Sequence, residues 1–509
     1  EVTKMAYNAA FEYYSLSKFY ETGLAQWRCA MVHALYCGFP ASLAAAGDAL
    51  GLKQDRKKMG AGKALIRYFC IPCAATKANG GRTRNHPRHS MEKWELFKSY
   101  CRQDVVTERE IYRILSAYPV PDTEWHNWIL DQLINMDGTS VDMELVDGAL
   151  AVSEKSREAL SEKARNLTGL DNPNSVAQLK DWIRQNSGLE VESLNKATVA
   201  EILADIPEED RTARVLKIRS ELGKTSVKKY AAMKTCVCTD GKIRGLLQFY
   251  GANRTGRFAG RLVQIQNLPK NYLHTLDTAR DLVKKQNGEA LQMIYGNVPD
   301  TLSQLIRTAF VPEKGSHFAA ADFSAIEARV ISWLAGEQWR LDVFNTHGKI
   351  YEASASAMFG VPIETISKGG ENYELRAKGK VAELALGYGG GSGALISMGA
   401  LNMGLNEEEL PDIVRRWRGS IRRIYDLWYR VERAAQEAVE YGAITSLDKG
   451  VVISRDRNFL FIRLPSGRSL FYNQPQIRPG AWNGSKEIWF MGLNQTNKKW
   501  GWISTWGGK

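Results

Sequence analysis

Hydrophobic and polar positions along the chain predict helices in the first region and a sheet at the end. Residues 1–118 follow a mostly helical pattern, and the prolines of PVPDTEW (119–125) predict a linker. A long helix is predicted over 371–388, and short apolar runs separated by turns predict a sheet over 450–509. In FAAADFSAIEARV (318–330), a small, apolar run predicts a buried strand followed at once by a helix.

Composition adds a candidate partner to this pattern. The 509 residues are 44% hydrophobic and 24% charged, as in globular proteins, and predict about three domains. The net charge of +12 favours an anionic partner, with nucleic acid first, although a merely solvated basic surface has the same charge. Seven cysteines in a chain of this length favour a reducing compartment over a disulfide framework.

One cluster has the ligand types of a zinc finger. Cys70 and Cys73 are followed by His86 and His89, but the two histidines are one residue closer together than is usual. The loop between the pairs is basic and lacks a hydrophobic finger core. A plain surface loop is therefore the favoured interpretation.

A basic helix over 214–233 ends in a group of lysines, Lys224, Lys228 and Lys229. Clustered lysines suit contacts with DNA phosphates. An exposed, solvated helix would show the same pattern, so both interpretations stay open.

The stretch ENYELRAKGKVAELALGYGGG (371–391) has a periodic face. Arg376, Lys380, Leu384 and Tyr388 recur every four residues and would lie along one helix face. Two cations one turn apart can bind a polyphosphate, and the aromatic ring can stack on a base or sugar. An ordinary amphipathic helix explains the cations as well, but it explains the glycines around the tyrosine less well.

Asp322 stands where the predicted strand of FAAADFSAIEARV ends. A carboxylate at a sheet edge can hold a metal ion that also meets substrate phosphates. The alternative is that Asp322 is the N-cap of the following helix.

Three ordered segments resemble one enzyme family. DFSAIEARV and RAKGKVAELALGYGG resemble the first two polymerase motifs of family A DNA polymerases in their bacteriophage form, and TGRFAGRLVQIQNLP (255–269) resembles the family's primer–template segment. The likeness extends over essentially the whole chain. It implies an α+β multidomain fold, a right-hand polymerase with palm, fingers and thumb, preceded by a ribonuclease H-like 3′–5′ exonuclease domain.

The resemblance also implies domain boundaries. The expected domains are the exonuclease over 1–125, palm entry and thumb over 126–250, palm over 251–335, fingers over 336–430, and palm again over 431–509.

Carried over by position, the resemblance implies roles for the polymerase residues. Asp322 would bind metal, and Glu327 would be the steric gate against a ribose 2′-hydroxyl. Arg376 and Lys380 would bind the triphosphate, with Lys380 also protonating the pyrophosphate. Tyr388 would stack near the nascent base pair.

Further positions complete the expected nucleotide and DNA contacts. Leu384 replaces the family's usual Phe or Tyr, and Tyr351 lies where some relatives have a histidine near the triphosphate. Arg257, Gln266 and Asn267 would lie along the minor groove, whose degenerate acceptor pattern suits sequence-independent checking of base-pair shape.

The first hundred residues resemble two exonuclease motifs. NAAFE (8–12) resembles the second motif and YCRQD (100–104) the third. The resemblance implies that Glu12 and Asp104 hold metal ions and that Tyr100 orients the attacking water.

Two family motifs are not found: an earlier D-x-E and a later His-Asp-Glu. A partial sequence is one explanation, and a polymerase split across further polypeptides is another. The expected function is primer extension with deoxynucleoside triphosphates on a DNA template in phage genome replication, with proofreading. One alternative is a template–primer-binding subunit that is inactive alone. Another is a single-subunit RNA polymerase, which the expected role of Glu327 in excluding a 2′-hydroxyl disfavours.

The expected cofactor is Mg²⁺, with Mn²⁺ as a substitute. The expected partners are the DNA template–primer duplex and dNTPs. The expected location is the host cytoplasm, without a membrane.

Overall fold

The computed structural model describes residues 2–252, 254–403, 405–480 and 484–508. Within these residues no helix is long and apolar enough to cross a membrane. The chain divides into two compact units. The first unit comprises Glu1–Trp125, Asn253–Gly256 and Ala321–Lys509, and the second comprises His126–Ala252 and Arg257–Ala320.

The N-terminal part of the first unit is mostly helical, as predicted. Strands β1 (Lys4–Ala6) and β2 (Trp27–Cys29) pair in parallel, and the helices are α1 (Ala9–Leu16), α2 (Ala30–Tyr36), α3 (Leu43–Ala49), α4 (Gly62–Cys70) and α5 (Met91–Leu115). Ser90 caps α5 by accepting a hydrogen bond from the Lys93 amide, and Ile111 and Leu115 are fully buried.

The linker predicted over 119–125 is largely wrong, because helix α6 (Asp122–Asp137) begins inside it. The Pro121 carbonyl accepts a hydrogen bond from the Glu124 amide. Asp122 and Glu124 lie in the first turn, where negative charge favours the positive end of the helix dipole.

The second unit packs helices around small sheets. Its strands are β3 (Thr139–Val141), β4 (Lys242–Ile243), β5 (Leu247–Ala252), β6 (Arg257–Gly260) and β7 (Phe310–Val311). Strands β4-β3-β7 form one antiparallel sheet and β5-β6 another. The remaining helices are α7 (Met143–Thr168), α8 (Val176–Ser187), α9 (Lys196–Asp205), α10 (Arg211–Leu222), α11 (Lys228–Cys236), α12 (Leu276–Lys284), α13 (Gly288–Tyr295) and α14 (Val298–Leu305).

The continuous basic helix predicted over 214–233 is wrong. Helix α10 ends at Leu222 and α11 begins only at Lys228. The interruption contains Gly223, Thr225 and Ser226, residue types that disfavour a helix interior because of backbone entropy or competing side-chain hydrogen bonds.

The C-terminal part of the first unit joins a helical group to a sheet. The helices are α15 (Ile326–Ala335), α16 (Gln338–Thr346), α17 (Ile350–Phe359), α18 (Leu375–Leu386), α19 (Ser392–Ser397), α20 (Leu410–Ser420) and α21 (Arg422–Tyr441). The strands are β8 (Thr445–Ser446), β9 (Val452–Asp456), β10 (Phe459–Arg463), β11 (Ser469–Pro479), β12 (Lys486–Leu493) and β13 (Trp500–Thr505). They form one antiparallel sheet of order β13-β12-β11-β10-β9-β8, which confirms the sheet predicted over 450–509.

Helix α21 covers one face of this sheet. Its small residues Ala434, Ala435 and Ala438 are buried with Ile453 and Leu460 of the strands. Alanine side chains let the helix backbone lie close to the sheet. A charged residue at these positions would have to be buried without water, which costs free energy.

The buried strand predicted before Asp322 is wrong. Residues 318–324 form no strand, and the side chains of Phe318 and Phe323 are 57% and 79% exposed. No strand among the described residues pairs with this segment, and an extended run of small residues does not persist without a neighbour for its backbone hydrogen bonds.

Candidate active site

Helix α18 packs closely on α17 beside the face that carries the predicted nucleotide-binding residues. A Cβ added to Gly379 would come within 2.2 Å of the Tyr351 carbonyl, so only glycine permits this approach. The approach brings Tyr351 beside Arg376, whose guanidinium carbon lies 5.7 Å from the ring centroid. Arg376 Nε also lies 2.7 Å from Glu352 Oε1, and this hydrogen bond raises the pKa of the guanidinium.

The remaining residues of this face are open to solvent. Lys380 is exposed, and the side chains of Leu384 and Tyr388 are 45% and 55% exposed. The helix predicted over 371–388 is shorter in the structure and ends at Leu386, so Tyr388 lies in the following turn. The shorter helix fits the glycine-rich sequence after residue 386, since glycine is a poor helix former.

Tyr388 and Glu327 are in direct contact. The Tyr388 hydroxyl donates a hydrogen bond to Glu327 Oε2. Glu327 lies in the first turn of α15, and the N-cap of this helix is Ala325, in the left-handed conformation with φ 51°. Asp322 is therefore not the N-cap of α15, which rules out the structural alternative considered for it.

Five of the predicted residues line one cavity. It has a volume of about 540 Å³, and the predicted residues in its wall are Asp322, Glu327, Tyr351, Leu384 and Tyr388. Arg376 and Lys380 are not among the described residues that line it. The structure thus brings together residues from the segments around α15, α17 and α18 that are far apart in sequence.

Four acids line this cavity wall, Asp322, Glu327, Glu383 and Asp448, and their environments differ. Asp322 is exposed and takes part in no hydrogen bond or ion pair among the described residues. Asp448 lies 2.9 Å from Arg430 Nη1 in an ion pair. Asp322 therefore differs from Asp448 in having an exposed carboxylate that no described cation holds.

No sequence motif marks the buried ion pair in the same wall. Arg340 and Glu383 bond through two parallel contacts of 2.7 and 2.6 Å, and their side chains are 1% and 4% exposed. Burial acts to raise the pKa of Glu383, but the hydrogen bonds and charge of Arg340 outweigh it, and the pKa lies below its usual value. The two residues belong to different helices and form no recognisable motif.

The predicted exonuclease residues lie on α1 and α5. Tyr100 is buried against Gly62, where an added Cβ would come within 2.1 Å of the ring. Lys58 Nζ lies 3.0 Å from Asp104 Oδ2 and 5.1 Å from the centre of the Tyr100 ring. Tyr100 and Asp104 therefore share one cationic neighbour.

Glu12 belongs to the same group of charges. Burial raises the pKa of Glu12. Burial also raises the pKa of Glu108, and the charges of Glu12 and Asp104 raise it further. Glu12 Oε2 and Asp104 Oδ1 are buried without a hydrogen-bond partner. A buried carboxylate oxygen without a partner destabilises the folded protein unless a cation or a hydrogen-bond donor binds it.

No zinc site forms from the cysteine–histidine cluster. Among the described residues, no group of three or more His, Cys, Asp or Glu side chains is arranged to hold a metal ion. Cys73 instead donates to the Arg82 carbonyl, and His89 Nδ1 accepts from the His86 amide.

The lysines after α10 have different environments. Lys224 is paired with Asp300 at 2.6 Å, and Lys229 donates a hydrogen bond to the Val263 carbonyl. Lys228 is exposed. Of the three, Lys228 is the one whose side chain faces solvent.

The predicted minor-groove residues lie on the surface of the second unit. Arg257 is exposed at the start of β6, and Gln266 and Asn267 are exposed in a short 3₁₀ turn over Ile265–Asn267. The Lys229 contact with Val263 anchors the chain just before that turn.

Comparison with known proteins gives consistent likenesses. The family model "DNA polymerase family A" matches residues 146–447. A DNA polymerase of Bacillus phage SP02 is 52% identical over 511 residues, covering 100% of this chain and 78% of the relative. DNA polymerase I of Pseudomonas aeruginosa is 30% identical over 142 residues, covering 28% of this chain and 14% of the relative.

A solved structure has a similar fold. The polymerase domain of an M. smegmatis DNA polymerase, in complex with DNA primer-template and dNTP, has a TM-score of 0.53 and 18% identity. The match covers 88% of this chain and 68% of that one. It confirms the predicted α+β polymerase fold.

None of these comparisons supports a requirement for further polypeptides or a role limited to binding DNA. Family A DNA polymerases use divalent metal ions. The chain belongs to DNA polymerase family A and is a template-directed DNA polymerase.

Proposed function

We propose that this polymerase extends a DNA primer at the cavity lined by Asp322, Glu327, Leu384 and Tyr388. The observation that carries the proposal is that these residues, from the segments around α15 and α18, converge on one cavity. The substrates are a template–primer duplex and deoxynucleoside triphosphates, and the setting is phage genome replication in the host cytoplasm.

The cations of α18 bind the triphosphate in this proposal. Arg376 is already oriented by Glu352, which reduces the side-chain entropy lost when it meets a phosphate. Lys380 is exposed and donates a proton to the oxygen of the leaving pyrophosphate. Tyr351 lies beside Arg376 at the triphosphate end.

Glu327 and Tyr388 select the sugar and hold the base pair. The hydrogen bond from Tyr388 fixes the Glu327 carboxylate, so that it fills the space a 2′-hydroxyl would need. The Tyr388 ring and the Leu384 side chain remain exposed for contact with the nucleotide. Leucine presents no aromatic ring or hydroxyl at its position.

Asp322 has the chemistry to hold Mg²⁺. Its carboxylate is exposed in the cavity wall, and Mg²⁺ is usually held by one or two carboxylates together with water and substrate phosphates. Mg²⁺, or Mn²⁺ in its place, would neutralise developing charge on the phosphates and lower the pKa of the primer 3′-hydroxyl. Asp322 itself would hold the metal ion at the cavity wall.

The DNA duplex contacts the second unit in this proposal. Exposed Arg257, Gln266 and Asn267 meet the minor groove, and exposed Lys228 meets phosphate. Lys224 and Lys229 contribute chiefly by orienting the segment, since both already have protein partners.

Domain roles follow the sequence boundaries. We assign palm entry and thumb to 126–250, palm to 251–335 and 431–509, fingers to 336–430, and an exonuclease to 1–125.

A second activity, 3′–5′ proofreading, is favoured by the two buried oxygens of Glu12 and Asp104 that lack a partner. Glu12 and Asp104 would hold metal ions, which would supply an activated water. Tyr100 would orient that water, and Lys58 holds the Asp104 carboxylate in place.

Primer extension tests the proposal. A labelled primer on a template of defined sequence, with each dNTP supplied singly, should gain only the complementary nucleotide. Incorporation that ignores the template, or a preference for ribonucleotides, would contradict it.

A further inference from the structure

A buried polar network ties together the helices that form the nucleotide cavity. Arg340 on α16 and Glu383 on α18 are its centre, and both line the cavity. Glu383 Oε1 accepts hydrogen bonds from Arg340 Nη1 at 2.7 Å, Ser354 Oγ at 2.6 Å and Trp417 Nε1 at 3.0 Å. Its other oxygen accepts from Arg340 Nη2 at 2.6 Å.

The network reaches the helix that carries Glu327. Arg340 Nε donates to Ser332 Oγ on α15 at 2.9 Å, and Ser332 lies five residues after Glu327. Glu383 lies three residues after Lys380 and immediately before Leu384. One ion pair thus links the helix of the sugar-selecting acid to the helix of the triphosphate-binding cations.

A role in folding stability alone does not account for this pair well. Two charges that are almost fully buried lose their hydration, and well-packed apolar residues often stabilise a protein equally well. The fork of an arginine on a carboxylate is directional, however, and permits one relative placement of its two helices. The benefit of the pair therefore lies in geometry.

We infer that Arg340 and Glu383 are positioning residues for nucleotide selection. They fix the separation of α15 and α18, and so the distance from Glu327 to the nucleotide held by α18. Without the pair, the cavity widens on the sugar side and the 2′-hydroxyl is no longer excluded. This inference rests on the proposed function of the cavity.

The main test replaces the whole pair by apolar residues. The variant R340M/E383L should retain the primer–template affinity of the wild type and remain folded, because no unpaired charge is left buried. Its melting temperature should fall by only a few degrees, because the Ser354 hydroxyl and the Trp417 indole N–H each lose their acceptor. Its KM for dNTP should rise about fivefold, and its preference for dNTP over rNTP in kcat/KM should fall about tenfold. The matched control is K378M, which removes the ion pair of Lys378 with Glu409, at 3.5 Å, from the same helix.

A second variant keeps the experiment decisive if the double variant does not fold. R340K retains the charge but cannot form two parallel bonds and reach Ser332, so it should lose part of the discrimination at an unchanged melting temperature. Discrimination and KM equal to the wild type in the folded variants would overturn the inference. If wild type extends primers and Glu327→Ala relaxes discrimination, such a result refutes the positioning role and leaves the proposed function intact.

Discussion

The Tyr388 hydroxyl donates a hydrogen bond to the Glu327 carboxylate, and this contact joins the turn after α18 to the first turn of α15. The two residues lie 61 positions apart in sequence. In the proposed function, this contact makes sugar selection depend on both segments, because Glu327 cannot move without losing the hydrogen bond from Tyr388.

Replacement of Glu327 by Ala should relax sugar selection. The preference for dNTP over rNTP in kcat/KM should fall at least about tenfold, or ~1.4 kcal/mol, because the side chain that excludes the 2′-hydroxyl is gone. Single-nucleotide incorporation kinetics with dNTP and rNTP pairs measure the ratio. Tyr388→Phe keeps the ring but removes the hydrogen bond and should have a smaller effect. An unchanged ratio in Glu327→Ala would refute the role of this residue.

Lys380 should contribute to the chemical step. Lys380→Ala should lower kcat about 100-fold, because the leaving pyrophosphate loses its proton donor. Lys378→Ala is the matched control, since this lysine lies on the same helix and pairs with Glu409. Pre-steady-state incorporation rates distinguish the two. Equal rates for both variants would contradict the assignment.

Asp104 should be required for proofreading and not for extension. Asp104→Asn should reduce 3′–5′ digestion of a mismatched primer end on the order of 100-fold, because a metal-binding oxygen is replaced by an amide. Glu110→Gln, on the same helix but paired at the surface with Arg113, should behave as wild type. Digestion by Asp104→Asn at the wild-type rate would refute the assignment of Asp104 to the exonuclease site.

Asp131 should make stability depend on pH. Burial raises its pKa from 3.8 to about 6, against hydrogen bonds from Phe249 and Asn135 that act to lower it. Because the folded pKa is the higher one, this contribution to stability is full below about pH 4 and is lost as pH rises through about 6. Asp131→Asn should therefore raise the melting temperature by about 2–4 °C at about pH 8 and by less at about pH 5. Thermal unfolding of the wild type and the variant at both pH values measures the change in melting temperature. An equal change at the two pH values would contradict the prediction.

Local pattern predicted the elements whose structure is decided locally. The four-residue period predicted the α18 face, and alternating apolar runs predicted the final sheet, because both signals come from neighbours in the chain. The strand before Asp322 was wrong because a strand depends on a partner that its own sequence does not specify.

The site was predictable only where a family motif marked it. Asp322, Glu327 and Tyr388 stand in recognisable segments, and the structure brings them to one cavity. Arg340 and Glu383 are 43 residues apart, and each is an ordinary charged residue on a helix. Their pairing arises from the packing of separate helices, which no local pattern encodes.

Primer extension by Asp322→Asn beside wild type tests the central claim most directly. The control is Asp448→Asn, which alters an acid of the same cavity that is paired with Arg430. The account predicts template-directed extension by wild type and by Asp448→Asn, with a fall on the order of 1,000-fold in Asp322→Asn while primer–template binding is retained. Extension by Asp322→Asn at the wild-type rate would contradict it.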